Sequence, residues 1–347
     1  MVQIGKRCLQ VVMLVLLASC GGGGGGGTPS APGGGGGGGG GVTPTPATGS
    51  LVYTSQATVN GSLSKVVRVL NLATGSERLF ATDDFVTGGA SVSRSGVVAQ
   101  VFDRGVNEAV IRLNRLDGSL VKQFVIGIPF SSSTSGARIS PDGSLVAFGM
   151  RVQANRGVDR VYFCDTGAVN DCRFYDDLSD PEWMPDGRLI GVDRLASHDR
   201  QGVLATTSPL TIANTAQNFL IDAGPQNLTN AQDPYATPDG KNIIVSLGTL
   251  SNICALNIAT KTTQQITSGG LQQYRATVSA DGKTLFYLQQ CCSNSGSAVA
   301  TTGTIHAIAL NVNANTATPL GVNFLTDAAG ASIKNSNRFG FTQTVLP

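Results

Sequence analysis

The chain has 347 residues, of which 13% are charged, with 24 Lys and Arg against 22 Asp and Glu. Without Lys6 and Arg7 of the leader the two signs balance, which argues against a nucleic-acid partner, since that needs a basic surface. No apolar tract is long enough for a spanning helix, which takes about 18 residues or more.

Lys6 and Arg7 open the chain with positive charge, and a short apolar run follows from Cys8 to Ser19, broken only by Gln10. A basic start, a short apolar centre and small residues before a cut are the layout of a secretory signal, here 1–19. The run ends in Leu17-Ala18-Ser19-Cys20, which resembles the lipobox of bacterial lipoproteins. That resemblance implies cleavage before Cys20 and lipid on its sulfur. Two or three acyl chains at about 0.8 kcal/mol per buried CH₂ hold firmly where one is marginal. Gly21 follows the cysteine; in Gram-negative lipoproteins Asp there favours the inner membrane, so the resemblance implies an outer-membrane location, facing the periplasm or the exterior.

Residues 20–49 form a linker of Gly, Thr and Pro, with 16 glycines between 21 and 41. Glycine loses the most backbone entropy on ordering and has no side chain to bury. A Gly-rich coil of this length reaches roughly 30 Å. The folded domain is expected over 50–347.

A phrase recurs through that domain: Ser140-Pro141-Asp142-Gly143, Met184-Pro185-Asp186-Gly187, Thr237-Pro238-Asp239-Gly240 and Ser279-Ala280-Asp281-Gly282. Degenerate copies stand at Ser93–Gly96 and Lys334–Asn337, and Ala47-Thr48-Gly49 fits the same frame. Pro second and Gly fourth are type I turn chemistry, and Asp braces such a bend through its own backbone. These aspartates are therefore read as turn residues. An apolar run follows each anchor, as in Leu145–Phe148 and Leu285–Leu288, and most units then carry a second phrase such as Leu70-Asn71-Leu72 or Leu256-Asn257-Ile258. Only the unit opening at Gly187 lacks a clean copy. Just before the anchors, one column reads Val92, Ile139, Trp183, Ala236, Val278 and Ile333, and its neighbour Ser91, Arg138, Glu182, Tyr235, Thr277 and Ser332. Apolar beside mostly polar is the alternation of a strand. Four strands per unit of this length make one β-propeller blade.

The repeated Pro-Asp-Gly phrase before an apolar strand is similar to the TolB-type six-bladed propeller repeat, over nearly all of 49–345. The resemblance implies an all-β propeller and protein contacts in the periplasm. The same repeat occurs in propeller domains of prolyl-oligopeptidase-like peptidases, whose nucleophile sits on a separate α/β domain, so the resemblance supports the propeller alone. Seven anchors bound six units. Ala331–Asn335 is expected to close the ring against the blade begun at Leu51, leaving Arg338–Pro347 surplus; a strand from 42–47 would make seven blades.

Cys164 and Cys172 end two strand-like runs around a turn of Asp165–Asp171 and are expected to form a hairpin disulfide. Cys254, Cys291 and Cys292 leave an odd thiol, with a vicinal bond or a Cys254 pairing both open. No Cys-x-x-Cys is present, and no metal or cofactor is expected. His198 and His306 are read as ordinary residues, because no Gly-x-Ser-x-Gly elbow accompanies them. The acidic run from Asp171 to Asp186 does not match a calcium loop.

The function expected is a non-enzymatic envelope lipoprotein whose propeller binds or scaffolds a protein partner. The alternative is a propeller hydrolase or lyase acting on a glycan or peptide, or a carbohydrate-binding module, which the single Trp weakens. The candidate ligand residues are Arg138, Glu182 and Tyr235 of the innermost strands, with Asp180 and Asp233 before Pro181 and Pro234.

Overall fold

The computed structural model describes residues 49–59, 62–80, 90–93, 95–103, 108–127, 136–152, 158–168, 171–193, 202–218, 220–224, 228, 231–247, 252–267, 273–290, 303–310, 320–324, 334–335 and 345–346. The leader, Cys20, the linker up to 48, His198 and the Cys291-Cys292 pair lie outside these residues.

The anchor turns recur because each is built in the same way. The N–H of Gly143 donates to the Ser140 carbonyl, and that of Ser140 to the Leu145 carbonyl. The Ser140 hydroxyl donates to Asp142 at 2.6 Å and accepts from the Leu145 N–H at 2.9 Å. Thr237 does the same with Asp239 and the Asn242 N–H, and Ser279 with Asp281 and the Thr284 N–H. Gly143, Gly187, Gly240 and Gly282 all take positive φ, from 69° to 86°, where a Cβ would be strained. In the unit with Met184 the anchor has no hydroxyl. The N–H of Leu189 would be orphaned there, and it donates instead to the Thr206 hydroxyl of a neighbouring strand at 3.0 Å.

These turns join four-stranded antiparallel sheets. The first holds β1 (Ser50–Val59), β2 (Ser62–Asn71) and β3 (Glu77–Phe80). The second runs β4 (Ser91–Val92), β5 (Val97–Asp103), β6 (Glu108–Arg115) and β7 (Leu120–Gly127). The third runs β8 (Arg138–Ile139), β9 (Leu145–Val152), β10 (Val158–Asp165) and β11 (Cys172–Asp176). The fourth has β12 (Leu178–Trp183), β13 (Leu189–Asp193), β14 (Gly202–Thr206) and β15 (Leu220–Asp222). The fifth has β16 (Gln232–Ala236), β17 (Asn242–Leu247), β18 (Asn252–Asn257) and β19 (Thr262–Gln265). The sixth has β20 (Gln273–Val278), β21 (Thr284–Gln290), β22 (Gly303–Ala309) and β23 (Leu320–Phe324). The second to fifth are meanders in sequence order, while the first takes its edge strand from the C-terminal end and the sixth carries a fifth strand; the six make a six-bladed β-propeller.

Ring closure differs from expectation. Lys334–Asn335, β24, pairs with β22 of the sixth blade, opposite Gly303 and Thr304. The strand that joins β1 is β25, Val345–Leu346, with Ser50 opposite Leu346 and Leu51 opposite Val345. The tail read as surplus is thus the inner strand of the first blade. Its apolar pair meets the edge of β1, whereas Lys334 and Asn335 stay with the sixth sheet. Six sheets, not seven, account for the described strands.

The core lies between blades rather than inside one. Val101, Ile111 and Phe124 of the second blade pack with Ile139, Phe148 and Tyr162 of the third. Ala147 and Phe163 of the third pack with Leu178, Trp183 and Leu204 of the fourth. Ile244 and Ile253 meet Val278 and Leu285 across the next described seam, and Phe286 and Leu288 meet Leu51 and Tyr53 where the ring closes. Strands buried on both faces read as continuous apolar runs: all five residues of β13 are buried, as are all five of β14. The expected disulfide is present: Cys164 and Cys172 are directly opposite in β10 and β11 and bonded, eight residues apart in sequence.

Candidate functional site

The innermost strands carry the polar column. Arg138 lies opposite Ala147, Glu182 opposite Ile190, Tyr235 opposite Ile244, and Thr277 opposite Phe286. These equivalent positions in successive blades interact across the seams. The Ser91 hydroxyl accepts from the Ile139 N–H at 2.8 Å. Arg138 Nε donates to Glu182 Oε2 at 2.8 Å. Tyr235 hydrogen-bonds with Thr277. The sequence-derived trio is therefore brought together: Arg138 and Glu182 pair across one blade boundary, and both charges act on the Tyr235 phenol.

The Arg138–Glu182 pair is largely covered, with 14% and 12% of the side chains exposed. Glu182 Oε1 also accepts from the Trp183 N–H, and Trp183 Nε1 donates to the Arg138 carbonyl at 2.9 Å. Blades three and four are thus joined twice, by the ion pair and by the indole. Burial raises the Glu182 carboxyl above the usual carboxylate range, although the Arg138 charge and the two hydrogen bonds pull against it. Burial, reinforced by the Glu182 charge, pushes the Tyr235 phenol up to about 12, against the Thr277 bond and the Arg138 charge. Tyr235 is a neutral hydrogen-bonding group at any physiological pH.

A second tier sits two residues upstream. Asp180, Asp233 and Arg275 have φ of 47°, 47° and 55°. The strand register slips at each of them, between Ser179 and Glu182, Gln232 and Tyr235, and Tyr274 and Thr277. A bulge of this kind re-aims a side chain where a regular strand would alternate. Left-handed backbone costs a residue with a Cβ about 1–2 kcal/mol. Asp180 and Asp233 also precede prolines, a position that favours extended backbone. Arg275 Nε lies 3.7 Å from Asp233 Oδ1, joining blades five and six, with about a fifth of each side chain exposed. A pair of that kind contributes about 0.2–1 kcal/mol, so this pair alone does not offset the strain at its two ends. Sequence reasoning named Asp180 and Asp233 and missed Arg275. The signal in the sequence is charge at the aligned position of three successive units, Asp180, Asp233 and Arg275; Gly136, at that position in the third blade, is not left-handed.

Four of the six acids between 171 and 186 pair with arginines: Asp171 with Arg173, Asp176 with Arg160, Glu182 with Arg138, Asp186 with Arg188. Among the described residues no group of three His, Cys, Asp or Glu could hold a metal ion. Cys254 is fully buried in β18.

No protein-family model matches the sequence, and no curated relative does. Solved structures do match in fold. A putative TolB from Agrobacterium tumefaciens aligns over 87% of this chain and 99% of its own, at 13% identity and a TM-score of 0.53. TolB from Acinetobacter baumannii aligns over 75% of this chain, also at 13% identity and a TM-score of 0.53, and the match spans 61% of that protein. A putative 6-phosphogluconolactonase from Bacteroides uniformis aligns over 86% and 97% of the two chains, at 13% identity and a TM-score of 0.54. With the sheets, the turns and these neighbours together, the chain is a six-bladed β-propeller with TolB proteins among its structural neighbours.

Proposed function

We propose that the chain is a non-enzymatic binding module of the bacterial envelope, lipid-anchored to the outer membrane through Cys20, which captures a protein partner at the mouth of its central channel. The observation that carries the reading is the inner-strand column. Arg138, Glu182, Tyr235 and Thr277 bring charge, a neutral phenol and a hydroxyl onto successive blades at one level, and the strained charged tier lies beside them. Charge orients a partner and an aromatic supplies contact area. The leader and the Gly-rich tether support the envelope location, since a coil of that length holds a domain near a membrane without fixing its orientation.

Crosslinking in intact envelopes followed by capture of the chain tests the proposal. A discrete partner crosslinked by the wild type and lost in Tyr235→Ala supports it. The fold likeness to a putative 6-phosphogluconolactonase supplies the competing arm: turnover of a sugar lactone by the purified chain would overturn the non-enzymatic reading.

A further inference from the structure

Blade four departs from the repeat in its outer half. Its strands β14 and β15 are joined by residues 207–219, whereas the same connection is 166–171 in the third blade and 258–261 in the fifth. This is the unit whose second phrase is missing from the sequence. An insertion in one copy of a repeat maps to a loop on one face, often the face that binds. The inserted loop is held in shape. The Leu210 N–H donates to the Gly187 carbonyl of the anchor turn at 3.0 Å, and Leu210 and Ile212 join the core between blades three and four. Asn214 Oδ1 accepts from the Thr211 N–H at 2.7 Å, and its Nδ2 donates to the Pro209 carbonyl. The hairpin end of the third blade is fixed as well. The Cys164–Cys172 bond closes it, the Thr166 hydroxyl donates to the Gly143 carbonyl of the anchor turn, and Lys122 of blade two donates to the Thr166 and Gly167 carbonyls.

Between these two fixed walls lies an open cleft of about 820 Å³, a size in the range of small-ligand sites. Asp165, Asp171 and Arg173 line one wall, and Thr211, Ile212 and Ala213 the other. Arg173 Nη1 donates to Asp171 Oδ1 at 2.8 Å and to the Cys172 carbonyl at 3.0 Å, and its Nε and Nη2 have no partner among the described residues. Asp165 Oδ1 accepts from the N–H groups of Gly167 and Ala168, which leaves Oδ2 open in the same sense. The Thr211 hydroxyl accepts from the Asn214 N–H and keeps its own proton to give. Free donors and a free acceptor thus stand together beside two apolar side chains.

We infer that this cleft binds a neutral oligosaccharide, as a second site on the face of the propeller that carries the anchor turns. Neighbouring sugar hydroxyls both donate and accept. One such pair gives protons to Asp165 Oδ2 and takes them from Arg173 Nε and Nη2 and from Thr211, and hydrogen bonds to charged groups are the stronger kind. The C–H face of a ring rests on Ile212 and Ala213. Asp171 and Arg173 cancel, so the walls hold one carboxylate in excess, which disfavours an anionic ligand. The walls offer hydrogen bonds in place of a stacking ring, so the scarcity of Trp does not bear on this cleft.

The test is a printed array of neutral and uronic-acid oligosaccharides probed with the purified chain. The wild type should retain neutral glycans in preference to acidic ones, with little dependence on salt, since screening acts on charged ligands. Asp165→Asn keeps the Oδ1 acceptor and replaces Oδ2 with a donor; Arg173→Lys keeps the charge beside Asp171 and removes the planar fork. Each should weaken binding of the retained glycan by about fivefold or more with the melting temperature unchanged, while Tyr235→Ala on the inner column should leave it intact. An array on which no neutral glycan is retained, or on which acidic glycans are preferred, overturns the inference. So does retention that both cleft variants leave unchanged, or that Tyr235→Ala alone abolishes.

Discussion

Removing the Arg138 guanidinium should unmask Glu182, and the effect should depend on pH with a defined sign. Glu182 sits 2.8 Å from Arg138 with little solvent around either group. Breaking a buried pair by deleting one partner costs about 3–5 kcal/mol, mostly because a charge is stranded; the residual exposure puts this one near the lower end. Burial already raises the Glu182 carboxyl in the wild type. An acid whose folded pKa lies above its unfolded value destabilises the fold by ionising. The stability it governs is therefore fully present below the unfolded value, about 4.3, and falls as pH rises through the folded value. Arg138→Ala deletes the strongest influence holding that pKa down, so the upward shift grows. Urea unfolding of wild type and Arg138→Ala should nearly coincide at pH 4 and separate toward pH 8. In the double variant Arg138→Ala, Glu182→Gln no carboxylate is left to ionise, and the growing gap should disappear. A loss equal at both pH values would mean that Arg138 stabilises through packing, and one absent at both would mean that the pair is too wet to matter.

Thr206→Val should destabilise by about 1–3 kcal/mol by orphaning the buried Leu189 N–H; adding Met184→Ser should recover part of this in thermal melts by supplying the hydroxyl that Ser140 supplies in the third blade. Reducing Cys164–Cys172, which closes a loop of only eight residues, should cost about 2 kcal/mol, and non-reducing peptide maps should link the two cysteines. Metabolic labelling with an acyl analogue should mark the chain, and Cys20→Ala should abolish the mark; a label that survives would remove the anchor.

What the sequence discloses about this propeller follows the range of the forces involved. The anchor turns are local, since hydroxyl, carboxylate, glycine and N–H lie within six residues of one another, and so they repeat visibly. The innermost columns are legible for the same reason, being fixed in register to those turns. The hairpin disulfide spans one turn and is equally local. Closure is not: β25 is two residues long and pairs with a strand nearly 300 positions away, and two apolar residues in a tail do not distinguish an inner strand from a loose end. The Thr206 hydroxyl is similarly silent, because its role exists only where a neighbouring anchor has lost its own. The bulge tier falls between these cases. Asp180, Asp233 and Arg275 are ordinary surface residues by composition, and backbone handedness is not a property of a residue type other than glycine. Nor does the aligned column disclose it, since Gly136 of the third blade stands at that position without left-handed backbone. Arg138, Glu182 and Tyr235, by contrast, are tied into the blade seams. The column that presents charge, a phenol and a hydroxyl thus also ties the seams, so a variant there tests binding only when its melting temperature is followed alongside.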